Sequence, residues 1–258
     1  MKHVVINSLA QRDLKARRGI DSVVVPNVFD FATPAPGIDD FNADFRQAIG
    51  LAPGDLLFLQ PTRVVPRKGI ELAIELVSKM QDARGKMQGA GCKLVITHEA
   101  GDEGLDYLHQ LQARAAAAGV DLRYVADRMA PQRGIRPGGG KIYSLWDAYI
   151  HADFVTYPSL YEGFGNALIE AVYFRKPVLV NRYPVYAADI GPLGFEFVEI
   201  DGRITDETVA QVRALLADPC RREAMAERNY RLGQEHFSFE RLEELLQGLL
   251  GGRGEGTF

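Results

Sequence analysis

Two glutamates with a glycine-rich turn between them form the clearest chemical pattern in the sequence. Glu162 precedes the turn Gly163, Phe164, Gly165 and Asn166, and Glu170 follows it on a predicted helix. The glycines let the backbone approach a ligand closely, and the unpaired N–H groups at a helix start favour an anion or a cluster of hydroxyls. Two carboxylates held apart suit a ligand with hydroxyls at both ends, such as a sugar nucleotide. Taken alone, each glutamate is better explained as a solvent-exposed residue.

The elements around this turn form a predicted β-loop-α-β unit. Residues 153–157 are β-branched and aromatic, which is typical of a strand buried on both faces. A helical pattern then runs from Asn166 to about Arg175, and Val178–Asn181 is the next strand. The turn therefore lies where a strand passes into a helix.

A second chemical pattern follows an earlier strand. Residues 55–60 are apolar, and the loop after them carries Arg63 and Lys68 before a helix with an apolar face. Two cations beside a helix start make a positive pocket suited to a diphosphate. The alternative is a solvated basic turn.

Alternating strands and helices predict an α/β fold, a Rossmann-like parallel sheet with helices on both faces. Ligands of such sheets bind at the carboxyl ends of the strands. Both chemical patterns directly follow strands, so we expect them to meet at one edge of the sheet and form one site.

Composition excludes several function classes. The chain has 258 residues, 47% hydrophobic and 25% charged, with a net charge of -4. That balance is typical of a globular protein and argues against nucleic acid as a partner, although Arg63, Arg67 and Lys68 form a local basic cluster. We expect no transmembrane segment and no signal peptide, and two isolated cysteines indicate a cytoplasmic protein. Scattered histidines show no zinc-site spacing.

The run PSLYEGFGNALIEA resembles the Glu-x7-Glu signature of family 4 (group 1) glycosyltransferases, which are retaining enzymes of the GT-B fold. Upstream, in PTRVVPRKGIELAIELV, Arg63 and Lys68 match the spacing of that family's phosphate-binding Arg and Lys. The resemblance covers roughly residues 23–239, and it corresponds to the C-terminal, donor-binding half of such an enzyme.

The resemblance implies a role for each matched residue. Arg63 and Lys68 are expected to hold the diphosphate and stabilise the leaving group, and Glu170 to bind the ribose hydroxyls. Glu162 and the backbone of residues 163–166 are expected to hold the donor hexose. Val125 and Arg128 lie in the segment that approaches the nucleotide base in this family. No cofactor or metal ion is expected.

The resemblance also implies how the chain is divided. Residues 1–26 are predicted to be a β-α-β remnant of the N-terminal domain, 27–41 the interdomain linker, and 42–258 the nucleotide-sugar-binding domain. Because GT-B enzymes bind the acceptor mainly on the N-terminal domain, we expect this chain to bind the donor but to be inactive without that domain. The acceptor is not predicted.

Three other functions are compatible with an α/β sheet of this kind. The first is a stand-alone nucleotide-sugar-binding module that pairs with a separate acceptor-binding chain, which an exposed apolar patch among Val4, Val5, Leu9 and the closing helices would favour. An NAD enzyme is disfavoured because no G-x-G-x-x-G follows the first strand. A nucleotide-sugar epimerase shares the GT-B architecture but fits the two motifs less well.

The loop from His98 to Gly104 departs from the glycine-rich turn of the resembling family. It carries His98, Glu99, Asp102 and Glu103. Its side chains could serve acid/base catalysis or metal binding, but such acidic loops are usually solvated, so the sequence favours a solvated loop.

Overall fold

The computed structural model describes residues 2–81, 91–101 and 104–251. Asp102 and Glu103, predicted to lie in an acidic loop, fall outside the described residues. Within them the strands are β1 His3–Val5, β2 Ser22–Val24, β3 Leu56–Gln60, β4 Cys92–Ile96, β5 Asp121–Tyr124, β6 Gly134–Ile135, β7 Lys141–Ile142, β8 Phe154–Tyr157, β9 Val178–Asn181 and β10 Val198–Ile200.

The helices alternate with these strands, as the sequence predicts. They are α1 Ser8–Arg18, α2 Phe45–Ala48, α3 Ile70–Gln81, α4 Asp106–Ala117, α5 Leu145–His151, α6 Asn166–Tyr173, α7 Asp206–Ala217, α8 Pro219–Phe237 and α9 Phe239–Leu250. No helix in the described ranges is both long and apolar enough to cross a bilayer.

Six strands form one parallel sheet in the order β10-β9-β8-β3-β4-β5. The chain begins at β3 in the middle, proceeds outward through β4 to β5, and then returns to the other side of β3 with β8. The strand order therefore reverses between β3 and β8. A crevice at the carboxyl ends of the strands is expected at such a reversal, and ligands bind there.

Each face of the sheet is covered by its own core. On one face, residues of α5 and α6 pack with Phe31, Phe45 and Phe237. On the other face, α3, α4 and α7 bury their apolar sides. Both faces of the central strands are buried, and these strands are therefore almost continuously apolar in sequence. The predicted α/β class is confirmed.

Residues 3–24 form a β-α-β unit outside the large sheet. Strands β1 and β2 pair in parallel with each other, as a two-stranded sheet. Asn7 caps α1, and Gly19 ends it in the left-handed conformation at a φ of 68°. The limits 1–26, 27–41 and 42–258 stay a prediction.

Three local details of the fold surround the site. Residues 127–141 contain the antiparallel hairpin of β6 and β7. Trp146 of α5 is 42% exposed and lies over Tyr173 and Phe174. Lys68 lies in the short 3-10 turn Pro66–Lys68, so it precedes the first residue of α3 instead of starting that helix.

Helix α6 ends in a left-handed residue that is not glycine. Arg175 has a φ of 53°, its N–H donates to the carbonyl of Val172, and that of Lys176 donates to the carbonyl of Ala171. These two hydrogen bonds form a Schellman motif, whose left-handed position is usually a glycine. The Arg175 guanidinium in turn pairs with Glu227 and lies 3.6 Å from the ring centre of Tyr230.

Two substitutions at Arg175 isolate the backbone strain. Alanine and glycine both remove the contacts of the side chain, but only glycine also removes the steric penalty of the left-handed conformation. We expect Arg175→Gly to be more stable than Arg175→Ala by about 1 kcal/mol. Chemical denaturation of both variants measures this difference, and an alanine variant of equal or greater stability would contradict it.

Candidate functional site

The loops after β3, β4 and β8 surround one cavity at the reversal of strand order. Its volume is about 420 Å³, within the usual range for small-molecule sites. Most predicted site residues line it: Arg63, Lys68, Glu162, Gly163, Phe164, Gly165, Asn166 and Glu170. The expectation that the two sequence patterns meet at one edge of the sheet agrees with this placement.

An ion-pair cluster joins the loop after β3 to the loop after β8. Lys68 Nζ donates to Glu162 Oε1, and Arg67 Nη1 donates to Glu162 Oε2 at 3.0 Å. Lys68 is 8% and Glu162 7% exposed, so both charges are largely removed from water. Arg67 was noted in the sequence only as part of a basic cluster, and the structure assigns it the second oxygen of Glu162.

Burial and pairing act on the two charged groups in opposite ways. Burial is the largest influence on Lys68 and lowers its pKa, and Arg67 and Arg63 lower it further despite the contact with Glu162. Burial alone would raise the pKa of Glu162, but the hydrogen bond and charge of Lys68, together with the Ser159 and Tyr157 hydroxyls, outweigh it, so the pKa is lowered. Glu162 is therefore held ionised, and it fixes the position of the Lys68 ammonium.

The two loops touch through their backbones as well. The N–H of Leu160 donates to the carbonyl of Arg67 at 2.8 Å. Gly69 has a φ of 61°, and a Cβ at that position would lie 2.5 Å from the carbonyl oxygen of Pro158. Glycine is therefore required at 69 by both conformation and space. This close approach brings Lys68 within reach of Glu162.

Gly165 is constrained in the same two ways. It has a φ of 133°, and a Cβ there would lie 2.3 Å from the hydroxyl of Tyr183. That hydroxyl donates to the carbonyl of Phe164 at 2.7 Å and so fixes the turn from behind. The ring of Phe164 packs edge-on against Phe237 in the core. The Phe164 side chain thus anchors the turn in the core, and the Phe164 backbone is the part that can contact a ligand.

Gly163 is held from the N-terminal β-α-β unit. Asn7, itself 6% exposed, donates through Nδ2 to the Gly163 carbonyl at 2.7 Å while its Oδ1 caps Ala10 of α1. Ile6 and Asn27 also line the cavity. The residues that come before β3 therefore form one wall of the site, a contribution that the motif analysis did not contain.

The start of α6 presents hydrogen-bond donors to the cavity. Gly165 occupies the N-cap position without a side-chain cap. The N–H groups of Asn166 and Ala167, which both line the cavity, make no hydrogen bond with any part of the chain that the structure describes. Such donors, together with the helix dipole, favour negative charge or hydroxyl oxygens.

Glu170 lies further along α6 on the cavity wall. Burial raises its pKa, and the neighbouring Tyr149 hydroxyl only partly offsets this. Unlike Glu162, it has no ion pair within the described residues. Its carboxylate is thus available as an acceptor for ligand hydroxyls.

Two predicted residues lie apart from this cavity. Val125 and Arg128 follow β5, at the outer edge of the sheet, and line a separate depression together with Gly50 and Asp127. Strand β4 stands between them and β3, and this spacing separates the two depressions. Their role at the nucleotide base stays a prediction.

His98, by contrast, lies in the main cavity. It follows β4, the direct neighbour of β3, and it is half-buried beside Arg63 and Lys68. The sequence placed it in a solvated loop, since the order of the strands was not known. Among residues 2–81, 91–101 and 104–251, no group of three or more His, Cys, Asp or Glu residues is arranged to hold a metal ion.

Comparison with known proteins identifies the family. Residues 138–232 match the model of the family described as glycosyl transferases group 1. The chain is 36% identical, over 95% of its length, to the mannosylglucosylglycerate synthase of Thermotoga maritima, and 43% identical, over 78%, to that of Petrotoga mobilis. It spans 60% and 48% of the lengths of these two relatives.

Solved structures show the same fold. A glycosyltransferase from Rickettsia africae superposes with a TM-score of 0.73 at 15% identity, over 99% of this chain and 64% of the other. Anabaena Alr3699/HepE in complex with UDP-glucose superposes with a TM-score of 0.73 at 15% identity, over 96% and 63%. The chain belongs to the group 1 glycosyltransferases and has the fold of GT-B enzymes.

Two glycine substitutions test the geometry of the turn. We expect Gly165→Ala to disrupt the turn, because the new methyl group would collide with Tyr183 in a backbone conformation that alanine avoids. We expect Gly163→Ala to leave the fold intact, since a Cβ there meets only Ile6 at 3.6 Å. Thermal unfolding compares the two, and equal melting temperatures would contradict the assigned constraint.

The raised pKa of Glu170 predicts a pH-dependent gain in stability on substitution. A group whose pKa is raised on folding destabilises the folded state once the pH exceeds that pKa. We therefore expect Glu170→Gln to melt at a higher temperature than the wild type at pH 8, and this difference to shrink towards pH 5. Glu223→Gln, an exposed residue of α8, is the control. Equal melting temperatures at pH 8 would show that the Glu170 carboxylate carries no such penalty.

Proposed function

We propose that this chain binds a nucleoside-diphosphate hexose and forms the donor side of a retaining hexosyltransferase. The observation that carries the proposal is the meeting of Arg63, Lys68 and Glu170 around one cavity at the strand-order reversal. Two cations suit the diphosphate, and a carboxylate without an ion pair suits ribose hydroxyls. A cavity of about 420 Å³ is large enough to hold most of such a ligand.

The chemistry assigned to the cations is stabilisation of the leaving group. In hexosyl transfer the bond between the sugar C1 and the diphosphate oxygen breaks, the acceptor oxygen forms a bond to C1, and the acceptor proton passes to the departing diphosphate, on which negative charge has grown. Fixed positive groups directed at that charge lower the barrier. Lys68 uses one of its three N–H donors for Glu162, so two remain for phosphate oxygens. We propose that these side chains, and no metal ion, carry this role.

Glu162 is proposed to act in two ways. Its two oxygens each accept one cationic donor, from Lys68 and Arg67, and the Tyr157 hydroxyl also interacts with the carboxylate. Through Lys68 it positions the ammonium at the diphosphate. Because it lines the cavity beside the backbone N–H groups of the 163–166 turn, it is also suited to the hydroxyls of the donor hexose.

The relatives suggest the kind of product. Both are named for mannosylglucosylglycerate, which contains mannosyl, glucosyl and glycerate units. We propose a mannosyl or glucosyl nucleotide as donor and a small, anionic sugar derivative such as glucosylglycerate as acceptor. Since these relatives are longer than the part that this chain matches, the acceptor site is proposed to lie on a further domain facing the cavity.

A second candidate is a donor-binding module that works with a separate acceptor-binding chain. Apolar side chains are exposed on the small sheet, where Val4 is 50%, Ile6 41% and Val23 39% exposed. Lys2 Nζ donates to the carbonyl of Leu249, so the end of α9, with Leu250 76% exposed, lies next to this sheet. Such a surface is suited to another domain or another protein.

Calorimetric titration with UDP-glucose, GDP-mannose and the free nucleotides tests donor binding. We expect one of these nucleotides to bind saturably and Arg63→Ala/Lys68→Ala to bind it at least about 100-fold more weakly, because two charge-assisted hydrogen bonds of about 1.5–3 kcal/mol each are lost. The matched control is Lys15→Ala/Arg17→Ala, which removes two exposed cations of α1. If both double variants bound the nucleotide equally weakly, the loss of affinity would reflect net charge alone, and a local site at Arg63 and Lys68 would be contradicted.

A transfer assay separates binding from catalysis. With glucosylglycerate and the nucleotide sugar that binds, we expect this chain alone to release no nucleoside diphosphate above background. Turnover by the isolated chain would contradict the proposed need for an acceptor-binding domain.

A further inference from the structure

His98 is a cavity residue to which the proposed function assigns no role. Its strand, β4, pairs with β3 along its whole length, and this pairing carries the residue after Thr97 to the same edge of the sheet as Arg63 and Lys68. The side chain is half-buried, and the cavity that it lines is the one proposed for the diphosphate. The sequence predicts a solvated loop here, whereas the structure places a titratable side chain in the cavity.

The imidazole ring is oriented by its neighbour. Thr97, which is 3% exposed, places its hydroxyl 3.1 Å from His98 Nδ1. The ring makes no other hydrogen bond to the part of the chain that the structure describes. Because Nδ1 is engaged by Thr97, Nε2 is the ring atom left for a ligand.

The charges facing His98 come from several elements. Arg63 and Lys68 follow β3 and are positive, and burial together with these two cations lowers the pKa of His98. Glu162, after β8, is paired with Lys68 and Arg67, and Glu170 lies on the α6 wall. Glu99, next in sequence, is exposed. Burial and the two cations therefore favour the neutral form of the His98 imidazole.

A bound diphosphate reverses this balance. It brings negative charge between Arg63, Lys68 and His98, so the two cations no longer disfavour a third positive charge. An imidazolium then gains an attractive interaction that a neutral ring lacks. Since the extra proton comes from solvent, binding and protonation are linked.

We propose that His98 is a third anion-binding group of this cavity, which donates from Nε2 to the diphosphate of a nucleotide sugar and takes up a proton as that ligand binds. The inference rests on the proposed function and adds a residue and a regulatory property to the same site. Affinity for the nucleotide sugar should consequently fall as the pH rises, because proton uptake becomes less favourable.

The test uses nucleotide sugars, since both phosphates of UDP-glucose and GDP-mannose are esterified and do not titrate near neutral pH. Calorimetry at pH 7 in two buffers of different ionisation enthalpy measures the protons taken up on binding. We expect net uptake of up to about one proton by the wild type, and a Kd that rises by up to about tenfold per pH unit between pH 6 and 8.

His98→Asn is the decisive variant, because asparagine keeps a polar donor but cannot titrate. We expect it to bind more weakly at pH 6, with no uptake attributable to position 98 and a flatter pH profile. His109→Asn, an exposed residue of α4, is the control and should behave as the wild type. Thermal unfolding confirms that both variants fold.

The outcomes separate the two claims. Wild-type binding with the same proton uptake and pH profile in His98→Asn would overturn the assignment of His98 and leave the nucleotide-sugar site standing. Failure of the wild type to bind either nucleotide sugar would overturn the proposed function and the inference together. A loss of uptake confined to His98→Asn would establish the assignment.

Discussion

The contact between Lys68 and Glu162 is the interaction on which the site depends. It joins the loops after two strands that are neighbours in the sheet but about ninety residues apart in sequence. The pair can form only because β8 returns beside β3, and because Gly69 lets the loop pass close to Pro158. Both charges are nearly excluded from water, so removing Glu162 would leave the Lys68 ammonium buried without this partner, and removing Lys68 would leave Glu162 with Arg67 as its remaining cation.

The surrounding structure makes this arrangement rigid. Arg67 occupies the second oxygen of Glu162, Tyr183 supports the Phe164 carbonyl from behind, and Asn7 holds Gly163 from the N-terminal unit. These contacts leave the donors at the start of α6 and the carboxylate of Glu170 facing the cavity. Preorganised groups of this kind need little rearrangement when charge appears. Glu170 is half-buried and has no ion pair within the described residues, and burial raises its pKa.

The parts of the fold that could be predicted from sequence are those with local causes. The β8-α6-β9 unit was recognisable because an apolar strand, a glycine-rich turn and a helical pattern follow one another directly. Arg63, Lys68 and both glutamates could be assigned to one sheet edge, since each follows a strand or opens a helix.

What could not be predicted depends on the order of the strands. Val125 and His98 both follow strands, and only the sheet order shows that β4 lies next to β3 while β5 lies beyond it. His98 thus enters the main cavity, and Val125 lines another depression. Asn7 reaches Gly163 across 156 positions, a contact for which the sequence carries no local signal.

The central claim is that the cavity between the β3, β4 and β8 loops holds a nucleoside diphosphate. The most direct measurement is a crystal structure of the chain with the nucleotide sugar that it binds. The account predicts phosphate oxygens within hydrogen-bonding distance of Arg63 and Lys68, with the ribose at Glu170. A nucleotide bound elsewhere, with Lys68 still turned only to Glu162 and no phosphate beside it, would contradict the account.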